Sequence, residues 1–411
     1  MHIEIPVPGL LTIEHTFRVP LDHADPSAGE IEVFAREVAD PDGTDRPFLV
    51  FLQGGPGYEA DRPGGSPRDP QWMARALEDF RVLMLDQRGT GRSTPVGTLA
   101  GLTPQEQAAY LTHFRADAIV NDAELIRQEL GVDRWSIFGQ SFGGFCALRY
   151  LSVAPGGLRE ALFVGGLPPV RRPIDEVYAR TYERLRVRNE RFYRRFPEDR
   201  DRVRRIRAAI DAGELTLPDG APLTWRRLRQ FGLILGMSDG AERLHHILEL
   251  PPDSPGFLHD VARGVGFERN PLYAIVHESC YADGGVTGWA AERTMPDDFR
   301  GDSDLFTGEH VYPWMFEDYR GLAPLREAAE ILATHEWPHL YDPDALAACE
   351  VPCAAAIFTD DMYVERAFSE ETAALIPGMR AWVTSEFEHN AILADGKRVL
   401  GHLLDLVRNR V

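Results

Sequence analysis

Residues 139–144 read GQSFGG, a serine framed by glycines two positions before and two after it. A serine hydroxyl becomes a useful nucleophile only when a base takes its proton and an acid orients that base. The string alone decides little, so its meaning rests on its neighbours and on the residues downstream. There, IFTDDMYV (357–364) carries Asp360 and Asp361, and WVTSEFEHN (382–390) carries His389. Serine, then acid, then histidine is the order found where the serine sits on a strand-to-helix turn. The pattern predicts Ser141 as nucleophile, His389 as general base and then general acid, and Asp361 as the group fixing its tautomer. Asp360 stands as the alternative acid, since adjacent aspartates are not separated by pattern. His402 lies in the helical pattern GHLLDLVRN and is read as structural.

Acyl transfer also needs donors for the oxyanion. The run FLVFLQGGPG (48–57) places Gly54 and Gly55 just past an apolar stretch, where bare backbone N–H groups approach a substrate closely. Phe142, the first residue after the serine, supplies the second donor. The segment MLDQRGTGRS (84–93) reads as a braced turn beside the site.

These residues require particular elements to carry them. WSIFG (135–139) reads as a buried strand and FGGFCALRYLSV (142–153) as a helix, so Ser141 falls on a sharp bend between them. Short apolar runs at 48–52, 81–85 and 161–166 alternate with helical patterns such as DAELIRQEL (122–130), the texture of parallel strands with crossover helices. Residues 1–45 alternate in a way that suits antiparallel strands. From 174 to about 325 the pattern is helical. Strand patterns return at 351–361 and 379–387, with a helix near 395–409. The expectation is an α/β fold: a mostly parallel sheet flanked by helices, with an inserted helical cap domain. Core segments span 1–166 and 326–411, and the cap spans 167–325.

Composition narrows the partners. The chain has 411 residues, 44% hydrophobic and 26% charged, with a net charge of -20. An acidic protein of this kind is not expected to bind nucleic acid or an anionic membrane surface, and no apolar run is long enough to span a bilayer. The arginine-rich run 184–211 is interspersed with acids and reads as a solvated helical face. No secretory leader pattern is present, and the four cysteines form no C-x-x-C pair, which points to reduced thiols in a cytoplasmic setting. The string HEWPH (335–339) matches a zinc-protease signature, but Pro338 would break the helix that motif requires. His245 and His246 show no further ligand at useful spacing, so no metal and no cofactor are expected.

With FLQGGPG, LDQRGTGRS, GQSFGGF, DDMYV and FEHN in order, the chain resembles the prolyl aminopeptidases (proline iminopeptidases) of the α/β-hydrolase clan, in their longer branch. Gln53 stands where shorter members have histidine and longer ones often have glutamine. The resemblance implies an α/β-hydrolase fold and release of N-terminal proline from small peptides. It also implies cap glutamates that grip the free imino group. HESCYADGGVTGWAAER (277–293) and FTGEHVYPWMF (306–316) resemble the segments carrying them, which places those roles on Glu278 and Glu309. Tyr281, Trp289, Tyr312, Trp314 and Phe316 would wall an apolar slot for the ring. Two readings compete: an esterase, amidase or broader aminopeptidase acting on small hydrophobic acyl groups, and a non-catalytic hydrolase-fold binding protein.

Overall fold

The apolar runs FLVFL and WSIFG lie side by side at the centre of one sheet in the computed structural model, which describes residues 2–64, 70–301 and 303–411. Among the described residues the sheet has nine strands: β1 (His2–Val7), β2 (Leu10–Pro20), β3 (Glu30–Ala39), β4 (Phe48–Leu52), β5 (Arg81–Leu85), β6 (Trp135–Gln140), β7 (Leu158–Val164), β8 (Cys353–Phe358) and β9 (Met379–Thr384). Their order is β1-β2-β3-β5-β4-β6-β7-β8-β9. The first three strands pair antiparallel and β3 meets β5 antiparallel, while every pair from β5 through β9 is parallel.

Successive side chains of a strand face opposite sides, and here both sides are covered. From β4, Val50 and Leu52 enter the core beneath the helices Ala116–Glu129 and Phe142–Val153. Leu49 and Phe51 enter the opposite core, beneath the helices Trp72–Asp79 and Ala391–Val407. Burial on two faces is why the run reads as continuously apolar rather than alternating. The Phe51 ring lies tilted against the fully buried Trp72, with centroids 4.6 Å apart. Truncating such a ring to alanine costs about 3–5 kcal/mol.

Residues 165–352 separate β7 from β8 and, among those described, contain helices and two isolated bridges but no strand. The longest helix, Ile174–Arg195, continues after a short break into Asp199–Asp211. These two helices hold the arginine-rich run, and its arginines are exposed or half-exposed, as expected of a solvated face. Two of them also reach into the core: Arg184, half-exposed, pairs with Glu365, and Arg188, whose side chain is largely covered, pairs with Glu388. No helix crosses HEWPH: the preceding helix ends at Ala333, and His339 Nδ1 meets the Asp283 carbonyl at 2.6 Å. All four cysteines are free and buried. Among the described residues no helix is long and apolar enough to cross a membrane.

The LDQRGTGRS segment forms a turn fastened from within. Arg62 grips Asp86 through two hydrogen bonds of 3.0 and 2.9 Å, Arg92 N–H donates to the same carboxylate, and Ser93 Oγ donates to the Asp86 carbonyl.

Candidate active site

β6 ends at Gln140 and a helix begins at Phe142, leaving Ser141 alone at the bend with φ 51° and ψ -122°. A non-glycine residue in this region carries about 1–3 kcal/mol of strain, which persists only where the surroundings impose it. They do so here through close backbone approach. A Cβ on Gly143 would fall 1.9 Å from the Leu52 carbonyl oxygen. Ser141 N–H donates to the Val164 carbonyl at 2.9 Å, and Gly144 N–H donates to the Ser141 carbonyl at 2.8 Å.

The loops after β8 and β9 bring the other two groups to this bend. His389 Nε2 lies 2.9 Å from Ser141 Oγ, and His389 Nδ1 lies 2.7 Å from Asp361 Oδ2. The other Asp361 oxygen accepts the backbone N–H groups of Tyr363 and Val364 at 2.8 and 3.1 Å. With an acceptor on Nδ1, that nitrogen carries the proton and Nε2 is free to accept from the serine hydroxyl. Burial pushes the imidazole pKa down, but the Asp361 carboxylate and, further off, Glu309 outweigh it and leave His389 above its ordinary value. Asp360 points elsewhere: its carboxylate pairs with Arg191 at 2.6 Å.

Ser141 and His389 open into a cavity of about 600 Å³ that also exposes Gln53, Gly54, Gly55, Tyr273, Glu309 and Tyr363. Glu309 is a half-buried carboxylate of its wall. Tyr273 donates to Glu309 Oε1 at 2.8 Å, yet burial dominates and lifts the carboxyl pKa to about 7. Gly54 lies against the nucleophile, a Cβ there falling 3.1 Å from Ser141 Cβ. Its N–H, however, donates to its neighbour Gln53 Oε1 at 2.9 Å. Gly55 has φ 129°. Phe142 opens its helix, so its N–H has no carbonyl one turn behind to bond.

Several residues assigned to the substrate pocket lie outside its lining. Glu278 is buried behind it, and its two oxygens accept the N–H groups of Ala290 and Ala291 at 3.1 and 2.9 Å. The carboxylate satisfies the start of a short helix, and burial raises its pKa to about 7. Tyr281 packs edge-on to Phe145 and Tyr178, and its hydroxyl donates to the Tyr363 carbonyl. Trp314 is stacked between Tyr312 and Tyr319, with Arg226 over its ring. Trp289 pairs with Phe316 instead of facing the cavity. These rings pack on one another, and the cavity takes its aromatic wall from Tyr58, Phe267, Tyr273 and Tyr363.

The sequence reading missed those four. Tyr363, whose ring centroid is 4.5 Å from that of His389, stands two residues after Asp361 in DDMYV, a position from which it was findable. Tyr273 had no signal, since its partner Glu309 lies 36 residues away. The reading also missed Glu249, which joins His245 and His246 with ligand atoms within 4.8 Å on a partly exposed helix face. There His245 Nδ1 is hydrogen-bonded to Asp199 and His246 to Glu249.

Comparison with known proteins agrees with this architecture. The family described as the alpha/beta hydrolase fold matches residues 47–393. A proline iminopeptidase of Aeromonas sobria is 45% identical over 96% of this chain and 96% of its own length. One of Aspergillus aculeatus is 34% identical over 97% of this chain and 94% of its own. The crystal structure of a Mycobacterium smegmatis proline iminopeptidase covers 100% of this chain and 98% of its own at 16% identity, with a TM-score of 0.46. The chain belongs to the alpha/beta hydrolase family and, within it, to the proline iminopeptidases.

Proposed function

We propose that the protein is a serine aminopeptidase that releases N-terminal proline from small peptides through a prolyl-enzyme intermediate. The observation that carries this reading is the shared cavity. A hydroxyl bonded to a carboxylate-backed imidazole opens into the same space as the half-buried carboxylate of Glu309. The near-full-length identity to proline iminopeptidases supports the same conclusion.

In this mechanism Ser141 Oγ attacks the proline carbonyl carbon while His389 Nε2 takes the hydroxyl proton. Asp361 stabilises the resulting imidazolium. The tetrahedral oxyanion is held by Phe142 N–H and by Gly54 or Gly55 N–H, with Gly54 exchanging its bond to Gln53 for one to the substrate. The C–N bond breaks as the imidazolium protonates the departing nitrogen, and the shortened peptide leaves. Water, deprotonated by His389, then cleaves the ester, freeing proline and restoring the serine. The steps use only these side chains, backbone donors and water.

Glu309 anchors the charged imino group of the substrate. An internal peptide bond would offer a neutral amide there and leave the ionised carboxylate uncompensated, which is costly. Glu278 supports this region from behind. Residues 167–325 form the cap over a core of 1–166 and 326–411. Four free buried thiols suit a reducing, cytoplasmic setting.

A panel of aminoacyl arylamides, with and without N-terminal blocking groups, tests the reading. Selective turnover of unblocked prolyl arylamide is expected. Equal turnover of blocked and free substrates would point instead to a general esterase or amidase. Failure of Ser141 to label with a serine-directed phosphonate would point to a binding protein.

A further inference from the structure

Arg184, Arg188 and Arg191 are spaced by four and three residues on the helix Ile174–Arg195, so they project from one face. That face meets the two loops that deliver Asp361 and His389. Arg184 Nε and Nη2 donate to the two oxygens of Glu365, each at 2.7 Å, four residues beyond Asp361. Arg191 Nη1 donates to Asp360 Oδ2 at 2.6 Å. Arg188 reaches both loops at once. Its Nη1 donates to Glu388 Oε1 at 2.8 Å, and its Nη2 donates to Glu388 Oε2 and, at 2.6 Å, to the Asp360 carbonyl oxygen.

Glu388 and Asp360 immediately precede His389 and Asp361. One guanidinium therefore spans the two loops in parallel with the 2.7 Å hydrogen bond between imidazole and carboxylate. The Arg188 side chain is 11% exposed, so salt screens the bridge little. Arg180, on the same helix, makes a contrast: it pairs with Glu183 of its own helix, and both side chains are more than half exposed.

We propose that Arg188 is a positioning residue, whose guanidinium holds the Asp361 and His389 loops in register and so makes alignment of the catalytic groups depend on the seating of this helix. The planar fork matters. Two parallel N–H groups engage a carboxylate while a further N–H reaches the carbonyl, a geometry that the single ammonium of lysine reproduces only in part. Arg184 and Arg191 fasten the Asp361 loop from either side. The proposal rests on Ser141, His389 and Asp361 being the catalytic groups.

The test measures kcat and KM on L-prolyl arylamide and on phenyl acetate for the wild type, Arg188→Gln, Arg188→Lys, Glu388→Gln and the control Arg180→Gln. Displacement of catalytic groups by about 1 Å costs on the order of 100-fold, and a loosened but still hydrogen-bonded pair costs less. Arg188→Gln is therefore expected to lower kcat on both substrates by about tenfold, with KM unchanged within about twofold. Arg188→Lys should recover part of the loss, and Glu388→Gln should lose a smaller factor in the same direction. A purely structural role would instead lower the amount of folded protein, leaving kcat per phosphonate-titrated site unchanged. If Arg188→Gln fails to fold, the lysine and Glu388 variants carry the test. A kcat no lower than that of Arg180→Gln, or a rise in KM alone, overturns the proposal. Turnover by Ser141→Ala would instead overturn the assignment of the catalytic groups, and the proposal with it.

Discussion

Replacing Glu309 with glutamine keeps the shape of the cavity and removes a half-buried carboxylate from its wall. Burial lifts this carboxyl from its ordinary 4.5 to about 7. At about 1.4 kcal/mol for each tenfold change in proton affinity, the charged form is held about 3 kcal/mol above its cost in water. Solvent reaching the open cavity reduces this to about 2–3 kcal/mol. A substrate imino cation beside the carboxylate relieves that penalty; glutamine offers it no charge to meet. Glu309→Gln should therefore lower kcat/KM for L-prolyl arylamide by about 30- to 100-fold and leave phenyl acetate hydrolysis within about twofold. The pH profile provides a second reading. Because Glu309 must be ionised to hold the cation, wild-type kcat/KM on the prolyl substrate should fall as pH drops through about 7. In the variant that limb should vanish, leaving the ionisation of His389. Steady-state kinetics on both substrates from pH 5 to 9 decide the matter. Equal losses on arylamide and ester, or a prolyl loss below about threefold, would refute the anchor role.

Other substitutions probe separate parts of the site. Asp361→Asn should lower kcat by about 10⁴-fold through the wrong histidine tautomer. Asp360→Asn, whose carboxylate faces Arg191, should stay within about tenfold when both are assayed on the same arylamide. Glu278 is protonated more readily folded (pKa about 7) than unfolded, so its contribution to stability falls as pH rises from about 4.5 to 7. Denaturant titrations should accordingly show Glu278→Gln gaining on the wild type by up to about 3 kcal/mol between pH 4 and pH 8; a difference independent of pH would contradict this. Gly143→Ala forces a methyl against the Leu52 carbonyl and should destabilise by about 3 kcal/mol or more, read as a lower unfolding midpoint.

The parts of this molecule that were legible in its sequence share a physical cause. Strands buried on two faces show as unbroken apolar runs, and the elbow shows as glycines where backbone meets backbone. Ser141, Asp361 and His389 were readable because chain order and strand ends are linear properties. The choice between Asp360 and Asp361 depended on which way one turn pointed, and only the folded chain shows that Arg191 takes the first and His389 the second. The cavity wall was misread for a related reason. A cap built of many short helices packs its aromatics on one another, so a cluster such as YPWMF says nothing about which ring faces inward. Glu278 and Glu309 look alike as letters, but one closes a helix start and the other faces Ser141's cavity. The arginine run does form an exposed helix face; its letters hide only the pairing of Arg184, Arg188 and Arg191 with Asp360, Glu365 and Glu388, about 170 to 200 positions away.

The hydrogen bond between Ser141 and His389 joins residues 248 positions apart. On a ribosome adding about 5–20 residues per second, the histidine is synthesised about 12–50 s after the serine. Throughout that interval the elbow strand, the glycine turns and much of the sheet can assemble around a hydroxyl that has no base. His389 reaches Ser141 only when β8 docks beside β7 and β9 beside β8, so the event that completes the parallel sheet also brings the imidazole to the hydroxyl.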